Sequence, residues 1–426
     1  MLCEIREKCY LYHINEQIMS LKTGFTFLAC AFFLSASAQN GTFTAAYMAD
    51  GSVEKDQYRS YVTLESVRDN GCVVYATGGV HLNLSWVTMN KTAGIGTYSD
   101  AEDPGTNSAL LATAGSSVTV FNCSTNLHAA QSYGIIAADP ETVVRASGGK
   151  TTVSREKSSG FHSTGGAMIE IDDYEIHSYD NMSPLLSAGT HGQIEASGIK
   201  GATGGAASPL FSSNGDIHVS DSRLEAGNAP VGHVKGNGII RLEECDFVRA
   251  SSCGFYISEG NGTAGRLSMD GCKLKLADGP MFLVDDGCAE VSMKKNGISY
   301  SKDGLIYMKG GSISLDACSQ QLRGDIVTDS ICSVSLTLGK GSSYDGCING
   351  AGNGNASVTV TLEKGSSWHA SGSSHVSAIS FQQGVEKGIK QIKGTANVYY
   401  DAKNPANSYL GGREYQLNGK GRLIPE

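Results

Sequence analysis

The sequence predicts an all-β protein, a right-handed parallel β-helix (solenoid) of about 12–13 coils with three short strands in each coil. Three observations predict it. Pairs of apolar residues separated by one residue recur with a period of about 24 residues between Val118 and Val358. Glycine supplies 54 of the 426 residues and, with Asn, Asp and Ser, provides frequent turns. No segment after residue 38 has the 3.6-residue period of a helix.

The apolar pair in each repeat predicts a short strand with one buried face. A second buried position follows five residues after the pair begins and a third two residues later, as at Cys245 and Phe247, which predicts a second strand after a corner. A third apolar run, such as 255–257, completes each coil. Earlier pairs at Val62/Leu64 and Leu82/Leu84 extend the series. The pairs are Val118/Val120, Thr142/Val144, Ile169/Ile171, Ile194/Ala196, Ile217/Val219, Ile240/Leu242, Leu267/Met269, Val291/Met293, Ile313/Leu315, Val334/Leu336 and Val358/Val360.

The composition excludes several classes of protein. Hydrophobic residues make up 40% of the chain and charged residues 18%, which fits neither a highly charged disordered chain nor long apolar membrane spans. Only 8 prolines are present and no Gly-X-Y period occurs, which excludes collagen. The formal net charge is -9 without a basic stripe, so nucleic acid is not an expected partner.

Residues 1–38 predict an export signal. A short segment with one lysine precedes the apolar run 25–34, and the small residues Ala36 and Ala38 follow, so cleavage is expected after Ala38. We therefore expect a secreted or cell-surface protein. Because about ten apolar residues are too few to cross a bilayer, no transmembrane segment is expected in the mature chain.

Two features of this leader have competing interpretations. Residues 1–18 are polar and of mixed charge, which places the true start at Met19 unless they form a long n-region. Cys30 follows a Phe-Leu-Ala sequence, and a lipid anchor on Cys30 competes with simple cleavage.

The repeat also predicts the domain organisation. Residues 39–60 are expected to form an N-terminal cap, 61–381 the parallel β-helix, and 382–426 a C-terminal cap or tail. Caps are expected because the open strand edges at both ends of a solenoid must be covered.

Nine cysteines remain after residue 38, and Cys123, Cys245, Cys272 and Cys318 share one position in the repeat. We interpret these four as buried free thiols in one interior row, because cysteine is small and apolar enough to fill a corner. The alternative is a disulfide between Cys245 and Cys272, the two that share this position in consecutive coils.

A column of polar residues lies three and four positions after each pair begins. The hypothesis of solvated turn residues, balanced by Lys294 and Lys295, competes with that of an acid/base pair or of a calcium site at Asp221, Glu243 and Asp270. No other cofactor is expected. The candidate catalytic residues of an enzyme are Asp172, Asp173, Asp221, Glu243, Glu244 and Asp270.

Several other residues have acidic, basic or aromatic side chains of the kinds found in functional sites. The acidic loop 98–105 is interpreted as a long turn, with a recognition loop as the alternative. Trp368 is expected to pack in the cap rather than bind sugar. Arg223, Arg241 and Arg249 lie near the acidic column, but no aromatic residue clearly joins them. The histidines interpreted as surface or corner residues, and not as ligands, are His162, His177, His191 and His218.

With these repeats, residues 60–382 resemble the pectin-lyase-like class of right-handed β-helices, which includes polysaccharide lyases, polygalacturonases and non-catalytic surface proteins. Asp172-Asp173, Thr190-His191-Gly192 and Gly198-Ile199-Lys200 follow the order of polygalacturonase motifs. However, the Asn-Thr-Asp motif is missing, the glycine before His191 is replaced, and the arginine of the last motif is absent. The resemblance therefore implies the fold and no activity.

The C-terminal coils carry a second resemblance. Residues 358–379, with the turn Gly365-Ser366-Ser367-Trp368, resemble the final coils of pertactin-like passenger domains and related adhesin-like proteins. The segments 399–401, 410–412 and 423–425 look like the tail of secreted β-helix proteins of gut bacteria. The resemblance implies a non-catalytic binding scaffold for polysaccharides or host surface proteins; the alternative is a carbohydrate-active enzyme that uses the acidic column.

Overall fold

The computed structural model describes residues 44–52, 54–95, 105–260, 262–328 and 331–426. These residues form an all-β parallel solenoid of about 15 coils, which matches the predicted right-handed parallel β-helix. The predicted signal peptide, Cys30 and residues 98–104 of the acidic loop lie outside the described residues.

Each coil passes through three parallel sheets, which we call A, B and C in chain order. The strands of sheet A are Thr44–Asp50, Gly71–Thr77, Leu110–Ala112, Tyr133–Ala137, Ser159–Ser163, Leu186–Ala188, Phe211–Ser213, Gly232–Lys235, Phe255–Ser258, Phe282–Asp285, Ile306–Met308 and Ile326–Thr328. The strands of sheet B are Asp56–Ser60, His81–Ser85, Ser117–Phe121, Val143–Ser147, Met168–Asp172, Gln193–Ser197, Asp216–Ser220, Ile239–Glu243, Gly265–Asp270, Cys288–Lys294, Ser312–Cys318, Ser333–Leu338, Ser357–Leu362 and Ala378–Phe381.

Sheet C ends earlier, and two smaller sheets, D and E, continue the last coils. Sheet C contains Thr63–Ser66, Thr88–Lys91, Ser124–Leu127, Lys150–Val153, Glu175–Ser178, Lys200–Thr203, Arg223–Ala226, Asp246–Ala250, Lys273–Leu276 and Gly297–Ser299. Sheet D contains Gln321–Arg323, Ser343–Asp345, Ser367–His369, Ile392–Gly394 and Asn418–Gly419. Sheet E contains Ser374–Val376, Val398–Tyr400, Arg422–Pro425 and Tyr415–Gln416.

The predicted apolar pairs face the interior of sheet B, and most of the predicted register is confirmed. Ile169 pairs with Ile194 on the next coil, and the same column continues through Ile217, Ile240, Leu267 and Val291 on the coils that follow. All six are at most 2% exposed. An inward column of apolar residues fixes the register, because a shift by one residue would turn every side chain of a strand to the other face.

Three details of the predicted register are wrong. Val118 pairs with Val144 rather than Thr142, and Val291 pairs with Leu315 rather than Ile313. Both shifts are of two residues, which keeps the same face of the strand inward. Val62 and Leu64 belong to the start of sheet C, whereas the sheet B strand of that coil is Asp56–Ser60.

Large side chains fill the interior beneath sheet A. Phe211, Gly232, Phe255 and Phe282 occupy one column on consecutive coils. A side chain at position 232 would bring Cβ within 2.9 Å of the Phe255 ring, so glycine leaves room for its larger neighbour. Each fully buried phenylalanine contributes about 1.5–3 kcal/mol of apolar burial.

Strand pairing extends beyond residues 61–381 at both ends. Thr44–Asp50 and Asp56–Ser60 already pair with the next coil. At the other end, the helix Val385–Ile389 and the 3-10 helix Pro405–Leu410 accompany the last strands. Among the described residues, no helix has the length and apolar character that a bilayer crossing requires.

The 3-10 helix covers the last strand of sheet B. The side-chain oxygen of Asn407 accepts the backbone N–H of Ile379 at 3.0 Å, and the Tyr409 hydroxyl donates to the Ile379 carbonyl oxygen at 2.6 Å. Side chains therefore satisfy backbone groups that a further strand would otherwise take.

Candidate functional site

Sheets B and C meet at a corner that is built in the same way on ten consecutive coils. The residue after each sheet B strand has a left-handed backbone, with φ between 44° and 67°. Its N–H donates to the end of the next sheet B strand, as Trp86 donates to the Phe121 carbonyl oxygen at 3.0 Å. The B–C corner consists of the last residue of each sheet B strand and this following residue. The following residues are Tyr61, Trp86, Asn122, Gly148, Asp173, Gly198, Asp221, Glu244, Gly271 and Lys295, and Ser319 has the same conformation where sheet B leads into sheet D.

All six acidic candidates lie at the B–C corner, in two adjacent columns. Of these six residues, Asp172, Glu243 and Asp270 each end a sheet B strand. The other three, Asp173, Asp221 and Glu244, have the left-handed backbone of the following position. Five of the six are exposed and Asp270 is half-buried.

These residues do not form one catalytic group. Asp172 lies three coils from Glu243, because Ser197 and Ser220 occupy the positions between them. At the spacing between neighbouring strands, three coils correspond to about 14 Å. A pair of hydrolytic carboxylates is separated by less than about 10 Å.

Glu243 and Asp270 are direct neighbours on consecutive coils. The Asp270 carboxylate accepts a hydrogen bond of 2.7 Å from the Lys294 ammonium group. Glu243 Oε1 lies 3.6 Å from His218 Nε2. Each carboxylate thus has its own partner, and the two do not converge on a shared point.

Calcium was the other interpretation of this column. Asp221, Glu243 and Asp270 lie on three consecutive coils of the corner. Within the described residues, no set of three His, Cys, Asp or Glu side chains is arranged to hold a metal ion.

The fragments that follow polygalacturonase order are also separated. His191 lies just before the sheet B strand Gln193–Ser197, and Asp172 lies at the far end of the neighbouring strand. The length of that strand places them about 15 Å apart. His191 is exposed, and the structure does not bring it to the acidic residues.

The N-terminal part of the same corner is aromatic. Tyr61, Trp86 and Phe121, which we call the aromatic strip, lie on three consecutive coils and are 79%, 51% and 45% exposed. The Trp86 ring is parallel to the Tyr61 ring at a centroid distance of 6.3 Å. Phe121 meets Trp86 edge-on at 6.4 Å. Adjacent exposed rings of this kind mark a recognition surface more often than a folding requirement.

The backbone holds the two largest rings in an unusual conformation. Tyr61 and Trp86 have φ of 54° and 57°, a region that bulky residues rarely adopt and that costs roughly 1–2 kcal/mol per residue. Glycine occupies the equivalent position at 148, 198 and 271. The fold therefore tolerates glycine at this position, and Tyr61 and Trp86 present two large rings at a backbone cost that glycine would not incur.

Polar side chains flank the aromatic strip on the outer face of sheet B. Tyr58, Asn83 and Thr119 occupy one outward column on the same three coils. Tyr58 is 63% exposed, and Asn83 and Thr119 are half-buried. The surface thus combines ring faces with amide and hydroxyl groups that can form hydrogen bonds.

Two grooves follow the outer face of sheet C beyond the strip. One, of about 660 Å³, extends from Gly148 to Val248, and the other, of about 790 Å³, extends from Arg223 to Arg323. They share Arg223 and Val248. A β-bulge disturbs the register of Asp246–Ala250 at this junction, and bulges commonly occur at functional surfaces.

The cysteine prediction is confirmed in part. All nine described cysteines are free, and Cys123, Cys245 and Cys272 are buried. Cys318 is exposed, because the two-residue register shift at Leu315 places Gln320 in the interior column instead. A hydrogen bond with Cys272, together with burial, raises the pKa of the Cys245 thiol.

The remaining candidates have structural surroundings. Trp368 is fully buried and its Nε1 donates to the Gly346 carbonyl oxygen at 3.0 Å. His162 stacks on Tyr133, and burial lowers the pKa of its imidazole to about 4. Arg241 and Arg223 pair with Asp216 and Asp246, each at 2.7 Å.

The aromatic strip was not predicted from the sequence. The sequence does contain a pattern that indicates the strip. Phe121 lies three residues after Val118, and Trp86 lies four residues after Leu82, which are the spacings that defined the acidic column. The incorrect register at Val62 hid Tyr61. The grooves on sheet C have no comparable signal, because they depend on gaps between distant strands.

Comparison with known proteins adds no relative: no family model, curated protein or solved structure matches the chain.

Proposed function

We propose that this chain is a non-catalytic, exported binding scaffold whose ligand is a polysaccharide. The observation that carries the proposal is the aromatic strip, in which Tyr61, Trp86 and Phe121 are exposed on adjacent coils. The apolar C–H face of a sugar ring packs against an aromatic ring, while its hydroxyl groups need hydrogen-bonding partners. Asn83 and Thr119 supply such partners beside the rings.

The shape of the solenoid supports a long ligand rather than a single sugar. Successive coils repeat at about 4.8 Å, so the three rings follow the axis of the solenoid for about 10 Å. The sheet C grooves continue along the same direction. A polymer with a regular repeat can contact several coils at once, which strengthens binding without any new type of contact.

We also infer that the protein acts outside the cell, secreted or at the surface, as an adhesin-like scaffold. The inference is supported by the signal-like residues 19–38 and by the resemblance of residues 358–379 to passenger domains. The pectin-lyase-like class is the wider group that this proposal favours.

The experiment is affinity electrophoresis of the mature protein in gels that contain neutral or acidic polysaccharides. We expect retardation by at least one polysaccharide and its loss in Trp86→Ala. Tyr179→Ala is the matched control, since Tyr179 is an exposed aromatic residue outside the strip. Retardation by no polysaccharide, or binding only to a matrix protein, would overturn the proposal.

A carbohydrate-active enzyme is the second candidate, and one observation favours it. Glu243 and Asp270 are neighbours on consecutive coils, with backbones about 5 Å apart, so two acidic residues share this part of the corner. Release of reducing ends or unsaturated products by the native protein, and its loss in Asp270→Asn, would establish this alternative.

A further inference from the structure

The larger groove on sheet C arises where the sheet is interrupted. Sheet C ends at Gly297–Ser299, and the next strand along the axis, Gln321–Arg323, starts sheet D. Side chains join the two strands: Gln320 Nε2 donates to the Asn296 carbonyl oxygen at 3.1 Å, and the Tyr300 hydroxyl donates to the Gln321 carbonyl oxygen at 2.9 Å. The outer surface opens between these strands.

Small residues form the floor of this opening. Gly297 and Ser299 face outward beside Lys273 and Lys275 of the preceding coil. The nearest atom to a Cβ at position 297 would be Lys273 Cγ, 3.9 Å away. The side chains of Lys273 and Lys275 therefore lie on one side of the open floor, and Arg323 lies on the other side.

The charges around the floor are mostly positive. Four basic residues line this groove, Arg223, Lys273, Lys275 and Arg323, and Asp246 is the one acidic residue. Asp246 pairs with Arg223 at 2.7 Å. Within the described residues, Lys273, Lys275 and Arg323 form no ion pair. A basic groove thus lies on a protein whose formal net charge is -9.

We propose that this basic groove binds the acidic groups, carboxylate or sulfate, of a polysaccharide chain. The inference rests on the function proposed above and names the ligand class. Lys275 and Arg323 lie two coils apart, about 10 Å along the axis, which is close to the length of a disaccharide. An acidic group on each repeating unit can therefore meet each cation in turn.

The groove fits a sugar acid better than a nucleic acid. Proteins that bind single strands interleave cations with exposed aromatic rings on which the bases stack. In this groove Phe247 is buried, and Tyr300 is half-buried with its hydroxyl bonded to the backbone. The described lining offers charge and an open floor without a fully exposed ring.

The test compares the full mature protein with charge and shape variants. The ligands are a sulfated galactan, polygalacturonate, dextran and single-stranded DNA, measured by biolayer interferometry at low and high salt. We expect binding to the galactan or polygalacturonate that weakens with salt. Lys275→Ala with Arg323→Ala should lower that affinity about tenfold. Gly297→Leu should lower it similarly by filling the floor.

The matched control is Lys340→Ala with Lys364→Ala, two exposed lysines outside the groove, whose affinity should be unchanged. Equal affinity of the Lys275/Arg323 variant and the control overturns the groove assignment, and so does equal or tighter binding of DNA. If dextran binding survives and depends on Trp86, the polysaccharide function stands without this groove. If no polysaccharide binds, the proposed function fails as well.

Discussion

Trp86 lies directly against Tyr61 of the preceding coil, with 4° between the two ring planes, and both residues have left-handed backbones. The two features oppose one another. Ring contact stabilises the pair, while each left-handed φ costs energy that glycine would not incur. A substitution at Trp86 can therefore change stability and binding in different directions.

Trp86→Gly should keep or raise stability while it abolishes polysaccharide binding. Relief of the left-handed backbone is worth about 1 kcal/mol and offsets the lost contact with Tyr61 and Phe121. Denaturant unfolding gives the stability, and affinity electrophoresis gives the binding. Trp86→Ala, which loses the ring without relief of the backbone, is the control and should be the less stable variant. A large loss of stability in Trp86→Gly would show that the ring is a folding element.

Trp368→Phe should have the opposite effects. Trp368 is fully buried, and the Gly346 carbonyl oxygen would lose its donor, so we expect about 2–4 kcal/mol of destabilisation. Polysaccharide binding of the remaining folded protein should be unchanged, because Trp368 lies far from the aromatic strip. Thermal unfolding followed by circular dichroism measures the change, and an unaltered melting temperature would contradict this account of the C-terminal coils.

Lys91 predicts a pH dependence of stability. Its side chain is fully buried, its ammonium group donates to the Arg68 carbonyl oxygen, and burial lowers its pKa to about 8. The unfolded chain holds this proton up to its ordinary pKa of about 10.5. Between these values the unfolded state binds more protons, so the free energy of unfolding should rise with pH, by up to about 3 kcal/mol.

The measurement is urea unfolding at pH 7, 8, 9 and 10. Lys91→Met should remove the rise and leave stability at pH 7 equal or higher, because an apolar side chain incurs no cost of burying charge. Lys55→Met, a change at an exposed lysine, is the control and should retain the rise. A rise of the same size in Lys91→Met would assign it to another group.

Cys245 and Cys272 should remain reduced in the folded protein. Both thiols are buried and free, so a reagent should reach them only after unfolding. Labelling with iodoacetamide in denaturant, followed by peptide mass spectrometry, should find both alkylated without prior reduction. A peptide pair joined by a disulfide, or alkylation that requires a reductant, would contradict the free-thiol structure.

Much of the fold could be predicted because one physical requirement repeats on every coil. Residues such as Ile194 and Ile217 must share an inward column, and their spacing therefore gives the register. The prediction was wrong where three alternating residues all face inward, as Thr142, Val144 and Ala146 do, and as Ile313, Leu315 and Ala317 do. When three alternating residues of a strand all face inward, the sequence does not show which two of them align with the apolar pair of the neighbouring coil.

The candidate surfaces were harder to predict. The acidic residues lie along one corner, but the distance between Asp172 and Glu243 depends on the number of intervening coils. The basic groove depends on the interruption between Gly297–Ser299 and Gln321–Arg323, which local patterns do not encode. Its cations are ordinary surface residues in the sequence, and only the open floor beside them makes them a site.

The bonds from Asn407 and Tyr409 to Ile379 have a consequence for assembly. Because these side chains already use the free edge of the last sheet B strand, another molecule cannot add its own strand there. Pairing of another strand at Ile379 would require displacement of the 3-10 helix. Contacts between copies of the chain would then involve the flanks of the solenoid rather than this strand edge.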